Sequence, residues 1–359
     1  MGARLAVMAG GTGGHVFPAL AVAELLRDQG QEVFWIGTRE KMEARLVPER
    51  GFAMEWIGIE GLRGKGSLRL LMAPWKLAVA LFQAAGIFRR RRPDLVLGMG
   101  GFASGPGGLV ARWLGIPLII HEQNQVPGLT NLWLSRIARR VFQAFPNSFP
   151  PGRGAETCGN PVRPEICALP APAARLGRHQ GRVRLLVVGG SLGAQALNEQ
   201  VAPAVALMPL EARPLIRHQA GERTLEVARQ AYARAGVEAE VTPFIRDMAE
   251  AYGWADLVIC RSGALTVSEL AAAGLGAILV PYPYAVDDHQ TANAAYLAAP
   301  GGAEILPQSE LNPARLGALL TRLLGDRARL LAMAEAARAR TMPDAARRIA
   351  AACLAEITS

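Results

Sequence analysis

Short apolar runs alternate with longer stretches of helical periodicity along almost the whole of this chain. In the first half the pattern predicts strands at residues 4–8, 32–36, 53–57, 95–97, 117–121 and 140–142, with helical segments between most of them. At Pro146 to Pro151 the pattern breaks, and Pro, Gly, Asn and Ser accumulate as in a linker. It restarts at Arg184-Leu185-Leu186-Val187-Val188, and further strands are predicted at 215–218, 240–241, 257–260 and 277–280. Residues 313–358 read as helix interrupted at Pro343. Strand and helix in alternation predict an α/β fold made of two Rossmann-like, doubly wound parallel sheets. The expected domains are 1–157 and 158–340, with a C-terminal helix at about 341–359 packing back on the first. A chain of 359 residues is long enough for each to bury its own core.

Ligands on such sheets bind at the carboxyl ends of the strands, so the loops after strands carry the information. The first, Gly10-Gly11-Thr12-Gly13-Gly14-His15, joins a strand to a helix start and suits an anion or a sugar. It is not a dinucleotide fingerprint: Val16 stands at the third glycine, and Trp35-Ile36-Gly37-Thr38-Arg39 offers no ribose carboxylate. His15 stands at the positive end of the helix dipole, which disfavours its cation and keeps it available as a base. A second glycine-rich turn is Gly98-Met99-Gly100-Gly101-Phe102-Ala103-Ser104-Gly105-Pro106, where Ser104 is placed as a helix cap. After the next strand come four polar residues, His121-Glu122-Gln123-Asn124.

The second half opens as the first does, with a strand, Gly189-Gly190-Ser191-Leu192-Gly193 and a helix. After the apolar run ending at Cys260 comes Arg261-Ser262-Gly263-Ala264-Leu265-Thr266-Val267-Ser268-Glu269. Ser262 is expected to cap a helix whose first amides suit a diphosphate, with Glu269 a turn further on suiting a vicinal diol. Asp287-Asp288 lacks a further carboxylate nearby and reads as charge at a helix start rather than a metal site.

Composition and local segments add four points. Net charge is +9, which suits an anionic partner, but the arginines are scattered and lack aromatic interleaving, against nucleic acid. The four cysteines have no metal spacing and imply neither zinc nor disulfides, hence a reducing compartment. The chain enters a strand at once, so no signal peptide is expected. Residues 77–88 are free of charge but too short for the ~20 residues a bilayer span needs. They are either a buried helix ending in the solvated run Arg89 to Arg92 or an interfacial helix that dips Leu71, Trp75 and Phe82 into a membrane.

Taken in order, seven of these segments resemble the MurG glycosyltransferase family. They are Gly10 to His15 with Pro18-Ala19, Gly98 to Pro106, His121 to Asn124, and Gly159-Asn160-Pro161-Val162-Arg163. The others are Gly189 to Ala194, Arg261 to Glu269, and Asp288-His289-Gln290 with Asn293. The resemblance implies the GT-B architecture, two Rossmann-like domains facing a central cleft. It implies an inverting, metal-independent transfer of GlcNAc from UDP-GlcNAc to the MurNAc of lipid I, forming lipid II, with no cofactor.

In that reading the first domain takes the acceptor and meets an anionic membrane surface, peripherally and on the cytoplasmic face. The second holds the donor. Ser191, Arg163 and the start Ala264, Leu265, Thr266, Val267, Ser268 would hold UDP, and Glu269 the ribose. Ile245 would meet uracil through its backbone, Gln290 and Asn124 the GlcNAc, and Thr12, Gly13 and Gly14 the cleft from the other side. The catalytic base is His15 or Glu122. The chain departs from the family at Phe102, often Tyr, and at His289-Gln290, often a Gln pair; no phenol acts at the first. A UDP-GlcNAc 2-epimerase or another UDP-sugar lipid glycosyltransferase on the same fold would share most of these residues. A nicotinamide oxidoreductase would need the missing fingerprint.

Overall fold

The structure, a computed structural model, describes residues 2–59, 73–177, 179, 181–190 and 193–358. Contacts divide the chain into two compact units, Met1–Arg163 with Met342–Ser359, and Pro164–Thr341.

In the first unit the described elements run β1 Arg4–Met8, α1 Gly13–Asp28, β2 Glu32–Gly37, α2 Glu43–Glu49, β3 Ala53–Trp56 and α3 Ala73–Arg91. They continue β4 Leu95–Gly98, α4 Ser104–Trp113, β5 Leu118–Glu122, α5 Leu129–Leu134, β6 Arg140–Gln143 and β7 Ala155–Thr157. The seven strands form one parallel sheet in the order β3-β2-β1-β4-β5-β6-β7. The order reverses between β1 and β4, so the two glycine-rich turns leave neighbouring strand ends, where Met8 pairs with Gly98. On β1, Leu5 and Val7 face one core and Ala6 and Met8 the other, which is why the strand reads as apolar at every position from Leu5 on.

The second unit begins with α6 Pro164–Cys167 and α7 Pro172–Leu176, then β8 Arg184–Val188, α8 Gln195–Ala206, β9 Leu215–Gln219, α9 Leu225–Ala235 and β10 Glu240–Thr242. It continues α10 Met248–Trp254, β11 Leu257–Cys260, α11 Ala264–Ala273, β12 Gly276–Leu279, α12 His289–Ala298 and β13 Ala303–Ile305. It closes with α13 Pro313–Leu324 and α14 Arg327–Arg338. Its six strands are again all parallel, in the order β10-β9-β8-β11-β12-β13, reversing between β8 and β11. The last helix, α15 Ala345–Thr358, belongs to the first unit and buries Ile349 and Cys353 against α1.

The structure differs from the sequence reading in the following elements. The Pro- and Gly-rich stretch after β6 is a loop inside the first sheet, because β7 returns to pair with β6. β7 and β13, each three residues long at a sheet edge, are too short to show a period. Ser104 does not cap α4: it is the first helical residue, and its hydroxyl donates back toward Gly100 O at 2.9 Å and Met8 O at 3.1 Å. The arginine run is not simply solvated, since Arg90 and Arg91 reach the two oxygens of Glu55 at 2.5 and 2.7 Å. Among the described residues no helix is long and apolar enough to cross a membrane.

Candidate functional site

The first glycine-rich loop is held from behind by a carboxylate. Glu43, fully buried, accepts from the Gly11 amide at 3.0 Å with one oxygen. Its other oxygen accepts from the Thr38 amide at 3.1 Å and the Thr38 hydroxyl at 2.7 Å. Gly10 lies so close that a Cβ there would come within 2.5 Å of Glu43. Thr12 is exposed and extended at the cap position of α1, and its carbonyl, not its hydroxyl, receives the His15 and Val16 amides. Gly13 and Gly14 open the helix itself.

His15 is half-buried in the first turn of α1, with Nδ1 2.8 Å from Oε1 of Gln123. Gln123, fully buried, places Nε2 3.0 Å from Nδ1 of His121, and Nε2 of His121 lies 2.9 Å from the Gly159 carbonyl. The second glycine-rich turn covers this line. A Cβ on Gly100, at φ +88°, would sit 2.7 Å from Nδ1 of His15 and 3.1 Å from Oε1 of Gln123. Glu122, beside them on β5, has both oxygens occupied. Oε1 accepts from the Asn124 amide at 2.9 Å and its side chain at 3.3 Å; Oε2 accepts from the Gly128 amide at 3.1 Å and Asn131 at 2.9 Å. Arg163 falls in this unit, its guanidinium 5.9 Å from the Phe17 ring centre.

In the second unit the β8 loop is tied by Gln219. Its side chain accepts from the Gly190 amide at 3.0 Å and donates to Gly190 O at 2.9 Å and Pro243 O at 3.1 Å. Ser191 and Leu192 lie outside the described residues. Gly263 is the cap residue of α11, and no side chain caps the helix. The expectation that Ser262 would do so is corrected here: its hydroxyl is buried and has no hydrogen-bond partner among the described residues. An α-helix directs its first amides outward without intrahelical acceptors, a geometry that suits an anion.

Leu265 and Thr266 are half-buried in that first turn, beside buried Ala264 and Val267. Ser268 turns its hydroxyl back to the Ala264 carbonyl at 3.0 Å. Glu269 is 5 % exposed and accepts from the Tyr252 hydroxyl at 3.2 Å. Ile245 sits half-buried in the loop between β10 and α10. Gln290, in the first turn of α12, accepts from the Tyr282 amide at 2.9 Å, leaving its NH2 as the group to offer. Asp288 accepts from the Thr291 hydroxyl at 2.7 Å. No cluster of three or more metal-ligating side chains occurs among the described residues.

Glu43, Gln219 and Tyr252 were not singled out from the sequence. Gln219 left no trace, since it closes the mixed strand Leu215-Ile216-Arg217-His218-Gln219. Tyr252 left none, because it meets Glu269 only through the packing of α10 on α11.

Two buried histidines set an acid limit. Burial pushes His121 from the ordinary value near 6.5 down to about 4, with the Gly159 carbonyl opposing and His15 adding to the shift. Burial alone takes His218 down to about 3; its ring lies between Asn198 and Tyr232. Both bind a proton less readily folded than unfolded, so stability is full above about pH 6.5 and falls as pH drops below it. By pH 5 each is expected to have removed roughly 2 kcal/mol. Urea midpoints at pH 7.5 and 5.0 test this, and equal midpoints contradict it.

The glycosyltransferase family 28 N-terminal domain description matches residues 5–143, and the corresponding C-terminal domain description matches residues 184–349. A protein of Alkalilimnicola ehrlichii is 58 % identical over 351 residues, 98 % of this chain and 98 % of its own. One of Aeromonas hydrophila is 57 % identical over 354 residues, 98 % of this chain and 97 % of its own. Both are named UDP-N-acetylglucosamine--N-acetylmuramyl-(pentapeptide) pyrophosphoryl-undecaprenol N-acetylglucosamine transferase. The crystal structure of Acinetobacter baumannii MurG superposes with a TM-score of 0.86 at 43 % identity, covering 98 % of this chain and 99 % of that one.

Proposed function

The chain belongs to the MurG family within glycosyltransferase family 28, and on that premise we propose that it moves GlcNAc from UDP-GlcNAc to the MurNAc of lipid I, releasing UDP and forming lipid II. It is a hexosyltransferase. The observation that carries the reading is identity above 50 % over nearly the whole length of proteins bearing that activity in their names.

In this reading the second unit holds the donor. The uncapped α11 start, Ala264 to Ser268, receives the diphosphate, with Ser191 and Arg163 as further contacts. Glu269 accepts from the ribose hydroxyls, the Ile245 backbone meets uracil, and the Gln290 NH2 with Asn124 reads the GlcNAc. The first unit presents the acceptor beside His15, and its Thr12, Gly13 and Gly14 are further contacts of UDP-GlcNAc. The acceptor hydroxyl attacks the anomeric carbon as the bond to UDP breaks, and its proton passes to Nε2 of His15. Fixed amides that meet the developing charge on UDP do for the leaving group what a metal would otherwise do. His15 is preferred to Glu122 because the latter's oxygens already accept four hydrogen bonds. The direct test is labelled UDP-GlcNAc with a MurNAc-pyrophosphoryl lipid: disaccharide lipid plus UDP supports the reading. An epimerised sugar released from donor alone replaces it with the epimerase.

The acceptor is lipid-borne, and the first unit has a surface suited to it. α4 packs against both α3 and α5, and these helices expose Trp75, Phe82, Trp113 and Trp133 beside Arg89, Arg112 and Arg136. Phe82 is 81 % exposed while Ala84, Ile87 and Phe88 of the same helix are buried, so α3 is amphipathic rather than plain core. Leu71 lies outside the described residues. This surface would dock peripherally on an anionic membrane at its cytoplasmic face, where lipid II enters peptidoglycan synthesis and so cell shape and division. Trp75→Glu with Phe82→Glu is expected to cut co-sedimentation with phosphatidylglycerol vesicles at least about tenfold, leaving UDP-GlcNAc affinity in place. Unchanged co-sedimentation would remove these residues from the contact.

A further inference from the structure

The polar line from Gly159 to His15 has one consistent arrangement of protons. A carbonyl only accepts, so Nε2 of His121, 2.9 Å from Gly159 O, carries hydrogen. Buried and neutral, His121 then has its lone pair on Nδ1. The amide of Gln123 must turn its NH2 toward that lone pair at 3.0 Å. The carbonyl of His121, 3.3 Å from the same NH2, demands the same sense. Oε1 of Gln123 therefore faces Nδ1 of His15 as an acceptor, and Nδ1 carries hydrogen. Neutral His15 is left with its lone pair on Nε2, the nitrogen that has no hydrogen-bond partner among the described residues.

We propose that Gln123 and His121 are positioning residues that fix the tautomer and ring orientation of His15, so that its basic nitrogen is always Nε2. The inference rests on His15 being the base and goes beyond it by naming what makes the base competent. An imidazole left to itself exchanges between two tautomers, and only one of them can take a proton at Nε2. Here the choice is made three groups away, by a backbone carbonyl, and passed along without any group changing charge. Gly100 is part of the arrangement, because any side chain there would occupy the space of the His15–Gln123 bond. Asn160 holds the other end by donating to the Gln123 carbonyl at 3.1 Å.

The test uses the whole chain labelled with 15N in its imidazoles. Long-range 15N–1H spectra at pH 8 are expected to show His15 protonated at Nδ1 and His121 at Nε2, with His15 assigned by difference against His15→Gln. A His15 signal protonated at Nε2 overturns the proposal, and the tautomer itself is read in the unsubstituted protein. In turnover, Gln123→Met is expected to lower kcat at least about a hundredfold with KM for UDP-GlcNAc within about twofold. Gln123→Glu is expected to recover at least about tenfold of that loss. A neutral carboxyl group repeats the donor and acceptor of the amide, and an ionised one still accepts from Nδ1–H of His15. Equal turnover of the two variants overturns the proposal. The base assignment is separable: an inactive His15→Ala together with Nε2-protonated His15 removes the positioning line and keeps the base. A fully active His15→Ala removes the base itself.

Discussion

Turnover of His15→Ala is expected to fall at least about a hundredfold while UDP-GlcNAc affinity stays within about twofold. The split follows from where the residue stands. His15 is in the first turn of α1 and is not among the residues assigned to the donor, while the α11 start and Glu269, assigned to the diphosphate and the ribose, belong to the other unit. Donor affinity should therefore not depend on the imidazole. The attacking hydroxyl, by contrast, must lose a proton as the new bond forms, and a positioned base contributes roughly two to four powers of ten to such a step. Glu122 is the rival, and its surroundings speak against it. Both oxygens tie the chain between β5 and α5, from the Asn124 amide to Asn131, so protonating it would weaken four hydrogen bonds at once. Glu122→Gln is accordingly expected to cost stability, whereas His15→Ala gives up one side-chain hydrogen bond, about 1 kcal/mol. Single-turnover rates and denaturant midpoints of the two variants separate the roles. Undiminished turnover in His15→Ala would end its candidacy.

The sheets were legible because buried parallel strands announce themselves. β1, β8, β11 and β12 are apolar at nearly every position, and the first three are each followed by a turn that contains glycine. That is also what directed attention to the strand ends for a candidate site. What the residues did not show is how the loops are held. Ser104 and Ser262 looked like caps because serine before a helix usually is one; here one bonds backward and the other has no partner among the described residues. Glu43 stands out in no local pattern, yet packing buries it completely under the first glycine turn. Its role depends on β1 and β2 lying side by side, a fact of topology rather than of local pattern. The same holds for Gln123. It sat in plain view between Glu122 and Asn124, but its partners His15 and His121 come from two different strand ends.

For Glu269→Ala, UDP-GlcNAc is expected to bind roughly a hundredfold more weakly. A carboxylate that accepts from two vicinal ribose hydroxyls makes two charge-assisted hydrogen bonds, together worth about 3 kcal/mol, which is about that factor. The side chain is prepared for this. It is 5 % exposed, and the Tyr252 hydroxyl at 3.2 Å fixes one oxygen, so little ordering remains when the nucleotide arrives. Tyr252→Phe should then weaken binding by a few-fold only, since the carboxylate stays and loses one donor. Loss of affinity alone would not separate a ribose contact from a disturbed helix, so the decisive comparison is between UDP and its 2′-deoxy analogue. The unsubstituted chain should prefer UDP by about tenfold, one charge-assisted hydrogen bond's worth, and Glu269→Ala should bind both alike. If the variant keeps the preference, the diol is read elsewhere and the carboxylate serves only Tyr252. If the unsubstituted chain has no preference, the nucleotide does not lie along α11 in the way the amides and Glu269 together require.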